Sequence, residues 1–291
     1  MTPPLDWLTA QPIAHRGLHD SAQGLIENTA AAVRAAISAG YGIEVDVQLS
    51  GDGEAMVYHD DALGRLTEGE AKLDRLSAAE LKRVPFRNSS ERMMTLGDLC
   101  DLVGARTTIL IELKSRFDGD LRLAYRVAEV LAPYAGPAAP MSFDPWQIKA
   151  LRHKARSLAC GIVAAKYRPH PYWDLMPAWM RHGMGYLLTA LAAQPRFVAY
   201  AAPDLPALAP IFARRLLRLP LLAWTIHSDA ERRLRRRKER HHARPWVRGS
   251  TLRVIPVGGL LVDGITCHDK EMPRSCRPSS SPSRSKGART N

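Results

Sequence analysis

The stretch Gly42 to Asp60, GIEVDVQLSGDGEAMVYHD, decides how the chain reads. Glu44 and Asp46 stand two apart in an otherwise apolar run. In a β-strand residues i and i+2 share a face, so the two carboxylates project together while Ile43, Val45 and Val47 face the other way. Paired carboxylates on a buried strand are costly unless something positive sits on them. A hard divalent cation, Mg²⁺ or Ca²⁺, suits such oxygen ligands. His59-Asp60 then closes a second apolar strand, Ala55–Tyr58. The stretch alone leaves one alternative open, a surface hairpin with a solvated acidic face.

Working outward, Gln11–His15 is a short apolar run ending in His15-Arg16-Gly17. Asn28 or Thr29 is placed to cap an Ala-rich helix, Ala30–Ala39, and Gly40 to stop it. Strand, helix, strand is a βαβ unit and argues for a parallel sheet. The alternation continues. A capping box at Ser77–Glu80 opens a short helix through Val84. Thr95 caps Leu96–Val103, Thr108–Leu113 reads as a strand, and Leu121–Leu131 as an amphipathic helix. Strands are expected at Ala138–Phe143, Ser157–Ala164, Gly185–Leu188, Phe197–Ala201, Leu219–Ile226 and Leu260–Thr266. Helices are expected at Asp144–His153 and Leu205–Leu217. The pattern fits an α/β, TIM-type (β/α)8 barrel. The Ser50–Gly53 turn is too short for a parallel crossover, so one early strand is a hairpin arm and the barrel is irregular. Neither GxGxxG after the first strand nor GxxxxGK[ST] occurs, which leaves nucleotide-binding folds without support.

The chain has 291 residues and a net charge of +12. That charge belongs to two C-terminal segments: residues 231–253 carry +8 and residues 270–291 carry +5, leaving the body at −1. A basic total of this kind says nothing about what the body acts on, and no specific nucleic-acid partner is expected. The 231–253 segment is open to weak contact with an anionic surface. Four scattered cysteines without a CxxC pair, and an N-terminus without a signal-like pattern, point to a reduced, cytoplasmic setting. The expected layout is an extension at 1–10, a catalytic barrel at 11–268 with an Arg-rich segment near 229–258, and a disordered basic tail at 269–291.

The charged interruptions of the apolar strands form a set. They are His15 and Arg16 after the first strand, Glu44 and Asp46 in the second, His59 after the third, and Glu112 and Lys114 in the fourth. In a barrel the C-terminal strand ends converge on one face, where active sites lie. The set suggests phosphoryl transfer at a metal. Glu44, Asp46 and Glu112 are candidate ligands of one divalent cation. Arg16 and Lys114 are candidate clamps on phosphoryl oxygens. His15 and His59 are the candidate general base and general acid. Bland readings stand beside these: Lys114 as an ion-pair partner of Glu112, Glu27 as a charge favoured at a helix start, Trp224 as core.

These residues fall within an ordered series of motifs. The series is His15-Arg16-Gly17, Glu27-Asn28-Thr29, Glu44-Val45-Asp46, Val57–Asp60 followed by Leu63–Thr67, Leu76-Ser77 with Glu80-Leu81, Thr95-Leu96, Glu112-Leu113-Lys114, Ser142-Phe143 and Trp224-Thr225. The chain thereby resembles the glycerophosphodiester phosphodiesterase family, densely from residue 13 to about 115 and in islands to about 226. The resemblance implies a TIM barrel that hydrolyses a small-molecule glycerophosphodiester to glycerol 3-phosphate and an alcohol. It implies one Mg²⁺ or Ca²⁺ at Glu44, Asp46 and Glu112, and acid/base roles for His15 and His59. By the same analogy the glycerol 2-hydroxyl attacks first, giving a cyclic phosphate that water opens, while Glu27 and Trp224 line the pocket. The sequence departs from the family late. Val262-Asp263-Gly264-Ile265 comes 38 residues after Trp224, with RRLRRRKERHHAR between them. Two other readings remain: a lysophospholipase D-like enzyme using Tyr167, Tyr172, Trp173 and Trp179 as an apolar wall, and a catalytically weak protein binding anionic membrane or nucleic acid through its basic C-terminal segment.

Overall fold

The computed structural model describes residues 5–169, 171–226 and 253–256. Among the described residues ten strands form one sheet: β1 (Ile13–Ala14), β2 (Gly42–Leu49), β3 (Ala55–Val57), β4 (Met94–Thr95), β5 (Ile109–Leu113), β6 (Ala138–Ser142), β7 (Gly161–Ala164), β8 (Phe197–Ala201), β9 (Leu221–Ile226) and β10 (Arg253–Pro256). Eight of them, β1, β2 and β5 to β10, pair in parallel in that order. β10 approaches β1, which brings the two ends of the series together as in a (β/α)8 barrel. No ladder joins β1 to β10 among the described residues. The remaining strands are the expected irregularity. β2 outruns β1, and its C-terminal part pairs antiparallel with β3, which pairs in turn with β4.

The helices follow from local signals. Thr29 caps α1 (Ala30–Ser38) by accepting from the Ala32 N–H, and Gly40 stops it at φ +73. Ser77 and Glu80 form the capping box of α2 (Ala78–Leu81). Thr95 and Asp98 form that of α3 (Leu96–Val103). Then come α4 (Arg122–Leu131), α5 (Pro145–Lys154) capped by Asp144, α6 (Ala178–Met184), α7 (Thr189–Ala193) and α8 (Leu208–Arg215).

Alternation along the strands sorts two cores. Ile43, Val45 and Val47 of β2 and Ile109, Ile111 and Leu113 of β5 pack outward, in one core with residues of α1, α3, α4 and α5. Ile13, Leu110, Met141, Val163, Phe197 and Leu222 form a second core from the alternate strand positions. Glu44, Asp46 and Glu112 share the phase of Leu110, so the pleat turns them to the inside.

Two expectations need correction, and one strand was not expected. Gly185–Leu188 is not a strand but the tight link between α6 and α7, where Leu187 sits at φ +58. The strand expected from Ser157 begins at Gly161, after a turn. β10 is formed by residues assigned in advance to the Arg-rich segment. The strand expected at Leu260–Thr266, the tail at 269–291 and most of the segment near 229–258 lie outside the described residues.

Candidate active site

Asp46 and Glu112 are register partners on adjacent parallel strands. Glu44 lies one pleat back on the same face. One oxygen from each of the three lies within 4.8 Å of the others, and all three residues are buried. The cations against them are Lys114 and Arg16. Lys114 Nζ stands 2.8 Å from Asp46 Oδ1 and 2.6 Å from Glu112 Oε1. Arg16 Nε stands 3.2 Å from Asp46 Oδ2, and its backbone N–H donates to Glu44 Oε2 at 2.9 Å. Three carboxylates thus face two side-chain cations, one of them shared with Glu27 at 2.9 Å. An uncompensated buried charge costs several kcal/mol.

The cost is divided unequally. At Asp46 burial opposes ionisation, but Lys114 and then Arg16 outweigh it and hold the carboxyl far below its ordinary range. At Glu44 burial, then the Asp46 and Glu112 carboxylates, push the pKa well up. Glu44 Oε1 is buried without a hydrogen-bond partner. An acceptor left bare among like charges fits a hard divalent cation, which prefers several oxygens. The donor set is all carboxylate, the chemistry of a site for a hard cation.

The turn after β1 delivers the other groups. Gly17 at φ +78 lets the chain pass against α1; a Cβ there would lie 2.9 Å from Ala32 backbone and side-chain atoms. His15 Nε2 lies 3.9 Å from Glu44 Oε2. Burial, then the Arg16 guanidinium, lowers the His15 pKa to about 3, so its imidazole is neutral. Asn28 at φ +58 sits between the Arg16 carbonyl, which accepts its N–H at 2.9 Å, and Asp46. At Arg16 burial works against the charge, but Asp46 and Glu27 outweigh it and raise the pKa.

His59 follows β3, brought to Asp46 by the hairpin. The Tyr58 N–H donates to the Asp46 carbonyl at 3.0 Å. Gln48 Nε2 donates to the His59 carbonyl at 2.7 Å. His59 Nδ1 lies 2.7 Å from Asp60 Oδ1. Trp224, within β9, meets Phe143 edge-on at 5.8 Å, and Phe143 meets Trp173 edge-on at 5.0 Å. These three belong to the core that contains Leu110 and Met141. The early strands therefore bring together His15, Arg16, Glu27, Glu44, Asp46, Glu112 and Lys114, while Trp224 joins an aromatic wall.

Sequence reasoning gave no role to Asp60, Arg65 or Phe143, though all three lie in the quoted motifs; it read Asn28 as a cap first and a site neighbour second, and the second reading is the one the contacts with Asp46 match. The available signal was the residue type: asparagine adopts positive φ more readily than other non-glycine residues, and Thr29 is the cap. Tyr167 packs on His182 rather than joining the Phe143 stack, and Trp179 is half exposed.

Residues 15–239 match the model of the Glycerophosphoryl diester phosphodiesterase family. The chain belongs to that family. It is 36% identical over 111 residues to a glycerophosphodiester phosphodiesterase of Caldanaerobacter subterraneus subsp. tengcongensis, covering 35% of this chain and 44% of that protein. It is 32% identical over 224 residues to glycerophosphodiester phosphodiesterase 1 of Mus musculus, covering 66% of each. The matched region is thus under two thirds of either relative's length. Among solved structures, an Oleispira antarctica phosphodiesterase in complex with the product sn-glycerol-3-phosphate superposes with a TM-score of 0.65 at 21% identity, over 85% of this chain and 92% of that one. The Thermotoga maritima glycerophosphodiester phosphodiesterase does so at 0.59 and 24%, over 84% and 93%. These likenesses establish the barrel fold.

Proposed function

We propose that the protein hydrolyses glycerophosphodiesters to glycerol 3-phosphate and an alcohol, with a divalent cation held by Glu44, Asp46 and Glu112. The observation that carries this is the buried three-carboxylate cluster with a bare Glu44 oxygen, flanked by His15 and closed by Arg16 and Lys114. The Oleispira neighbour's bound glycerol 3-phosphate supports the product.

Bound at that cluster, the cation supplies positive charge to the phosphoryl group. The chain's own groups do the rest. Arg16 and Lys114, which neutralise carboxylates in the structure, are placed to share their charge with the non-bridging oxygens. Neutral His15 accepts the proton of the attacking hydroxyl, from the glycerol 2-position or from water. As the bond from phosphorus to the alcohol oxygen breaks, His59 gives that oxygen a proton. Glu27 holds Arg16 in place. Trp224, with Phe143 and Trp173, offers an apolar face to carbon atoms of the diester.

The test is release of glycerol 3-phosphate from glycerophosphocholine with Mg²⁺ or Ca²⁺. Activity should stop with EDTA and fall by at least about a hundredfold in His15→Ala and His59→Ala. No turnover across a panel of headgroups, or full turnover after chelation, refutes the proposal. Of the four aromatics of the apolar wall expected from the sequence, Trp173 packs on Phe143 and favours one second reading, a lysophospholipase D-like reaction, so a lysophospholipid belongs in the panel. A cytoplasmic setting is part of the proposal, supported by the free, buried thiols of Cys100 and Cys160. No helix among the described residues is long and apolar enough to cross a membrane.

A further inference from the structure

Arg65 lies in the loop after β3 and touches none of the three carboxylates of the cluster in any contact described above. Its guanidinium nevertheless takes hold of both oxygens of Asp60: Nε lies 2.6 Å from Oδ2 and one terminal nitrogen 3.1 Å from Oδ1. The same terminal nitrogen lies 2.6 Å from Glu27 Oε1, the oxygen that also accepts from Arg16 at 2.9 Å. Asp60 Oδ1 is in turn the partner of His59 Nδ1. A continuous run of charge-assisted hydrogen bonds therefore leads from His59 through Asp60, Arg65 and Glu27 to Arg16, which is ion-paired with Asp46.

The loop that carries Arg65 is fixed. Arg87 donates to the carbonyls of Gly64 and Leu66, and the Gly64 N–H donates to the buried Thr67 hydroxyl. The side chain itself is half exposed. Exposed ion pairs contribute little to stability. A two-point grip on a carboxylate does fix its direction, which a single ammonium cannot do.

We propose that Arg65 is a positioning residue for the hydrolysis. It clamps Asp60, and Asp60 fixes the His59 ring so that Nδ1 is tied back and Nε2 carries the proton given to the departing alcohol oxygen. This rests on the reading of His59 as the general acid.

The test compares Arg65→Met, Asp60→Asn, the double variant and His59→Ala on two substrates. Glycerophosphocholine has an alcohol that must be protonated as it leaves. The p-nitrophenyl diester of glycerol 3-phosphate has a phenolate that leaves without a proton. Arg65→Met should lower kcat on the choline diester about tenfold to a hundredfold with KM nearly unchanged, and lower it far less on the p-nitrophenyl diester. The double variant should be no worse than Asp60→Asn, and Arg65→Lys should recover only part of the loss. Arg65→Gln replaces Arg65→Met if melting shows that the latter does not fold. Equal losses on both substrates, a raised KM at unchanged kcat, or additive losses overturn the proposal. If His59→Ala keeps full activity, the reading of His59 fails. If His59→Ala loses activity and Arg65→Met does not, the assignment of Arg65 alone fails.

Discussion

Asn28 and Asp46 exchange two hydrogen bonds. The Asn28 amide donates to Asp46 Oδ2 at 3.0 Å, and its carbonyl oxygen accepts from the Asp46 backbone N–H at 3.2 Å. Both residues are buried, so the pair sets the direction of the Asp46 carboxylate. Groups that orient metal ligands are worth about tenfold to a hundredfold in affinity. Asn28→Gly keeps the positive φ free of strain and removes only the amide. Titration calorimetry with Mg²⁺ or Ca²⁺ should show that weakening, and unchanged affinity would mean that Asp46 is held by Arg16 and Lys114 alone.

Glu44 gives the second prediction. In the protein without cation its charge is a liability, since burial and the Asp46 and Glu112 carboxylates oppose it. Glu44→Gln keeps an acceptor for the Arg16 N–H and removes that charge. The variant should melt at a higher temperature than the parent in EDTA, by about 1–2 kcal/mol of stability, and should gain little from added cation. A parent that melts at the same temperature with and without saturating cation would contradict the site.

Acid stability follows from His15, lowered to about 3 by burial and Arg16 from an ordinary 6.5. An imidazole kept neutral in the fold but protonated in the unfolded chain favours unfolding as protons are added. Its contribution is whole above pH 6.5 and is lost progressively down to about 3. Asp60 adds a lower window. Burial opposes its charge, but hydrogen bonds from His59 and Arg65 prevail and lower it to about 2, so its contribution is whole above 3.8 and fades towards 2. Urea unfolding between pH 7 and 4 should lose stability with a slope that His15→Gln flattens.

Gly17→Ala should be severe. The new Cβ would meet Ala32 at 2.9 Å in a backbone at φ +78. Left-handed strain and overpacking together amount to about 2–4 kcal/mol. Chemical denaturation measures this directly, and a cost below 1 kcal/mol would mean that the turn relaxes.

Trp173→Ala tests the wall. Its edge-on contact with Phe143 is of a kind worth about 0.5–1.5 kcal/mol. KM should rise about twofold to tenfold, by amounts that differ between headgroups, with kcat less affected. A uniform loss in kcat across headgroups would assign Trp173 to the fold instead.

The fold was legible where local chemistry and pleat agree. The β2 alternation announced which face holds Glu44 and Asp46, and the short Ser50–Gly53 turn announced the hairpin. It was illegible where apolar residues serve a turn. Tyr186, Leu187 and Leu188 resemble a strand in composition, but the tight link between two short helices decides their shape. β10 was missed because an arginine-rich neighbourhood hides its three-residue apolar run, Val254–Pro256. At the site, motifs located Asp60 and Arg65 but not their contact, since a salt bridge to Glu27 across 38 residues is a property of the folded chain.

The inward-facing groups divide along the chain. Every ionisable member of the proposed machinery comes from His15 to Lys114, whereas the aromatic wall begins at Phe143. On the proposed reading, reaction type is therefore written before residue 115 and substrate range from residue 143 onward. If that reading holds, a mutant library confined to Phe143, Trp173 and Trp224 should change which diesters are accepted and leave the chemistry as it is.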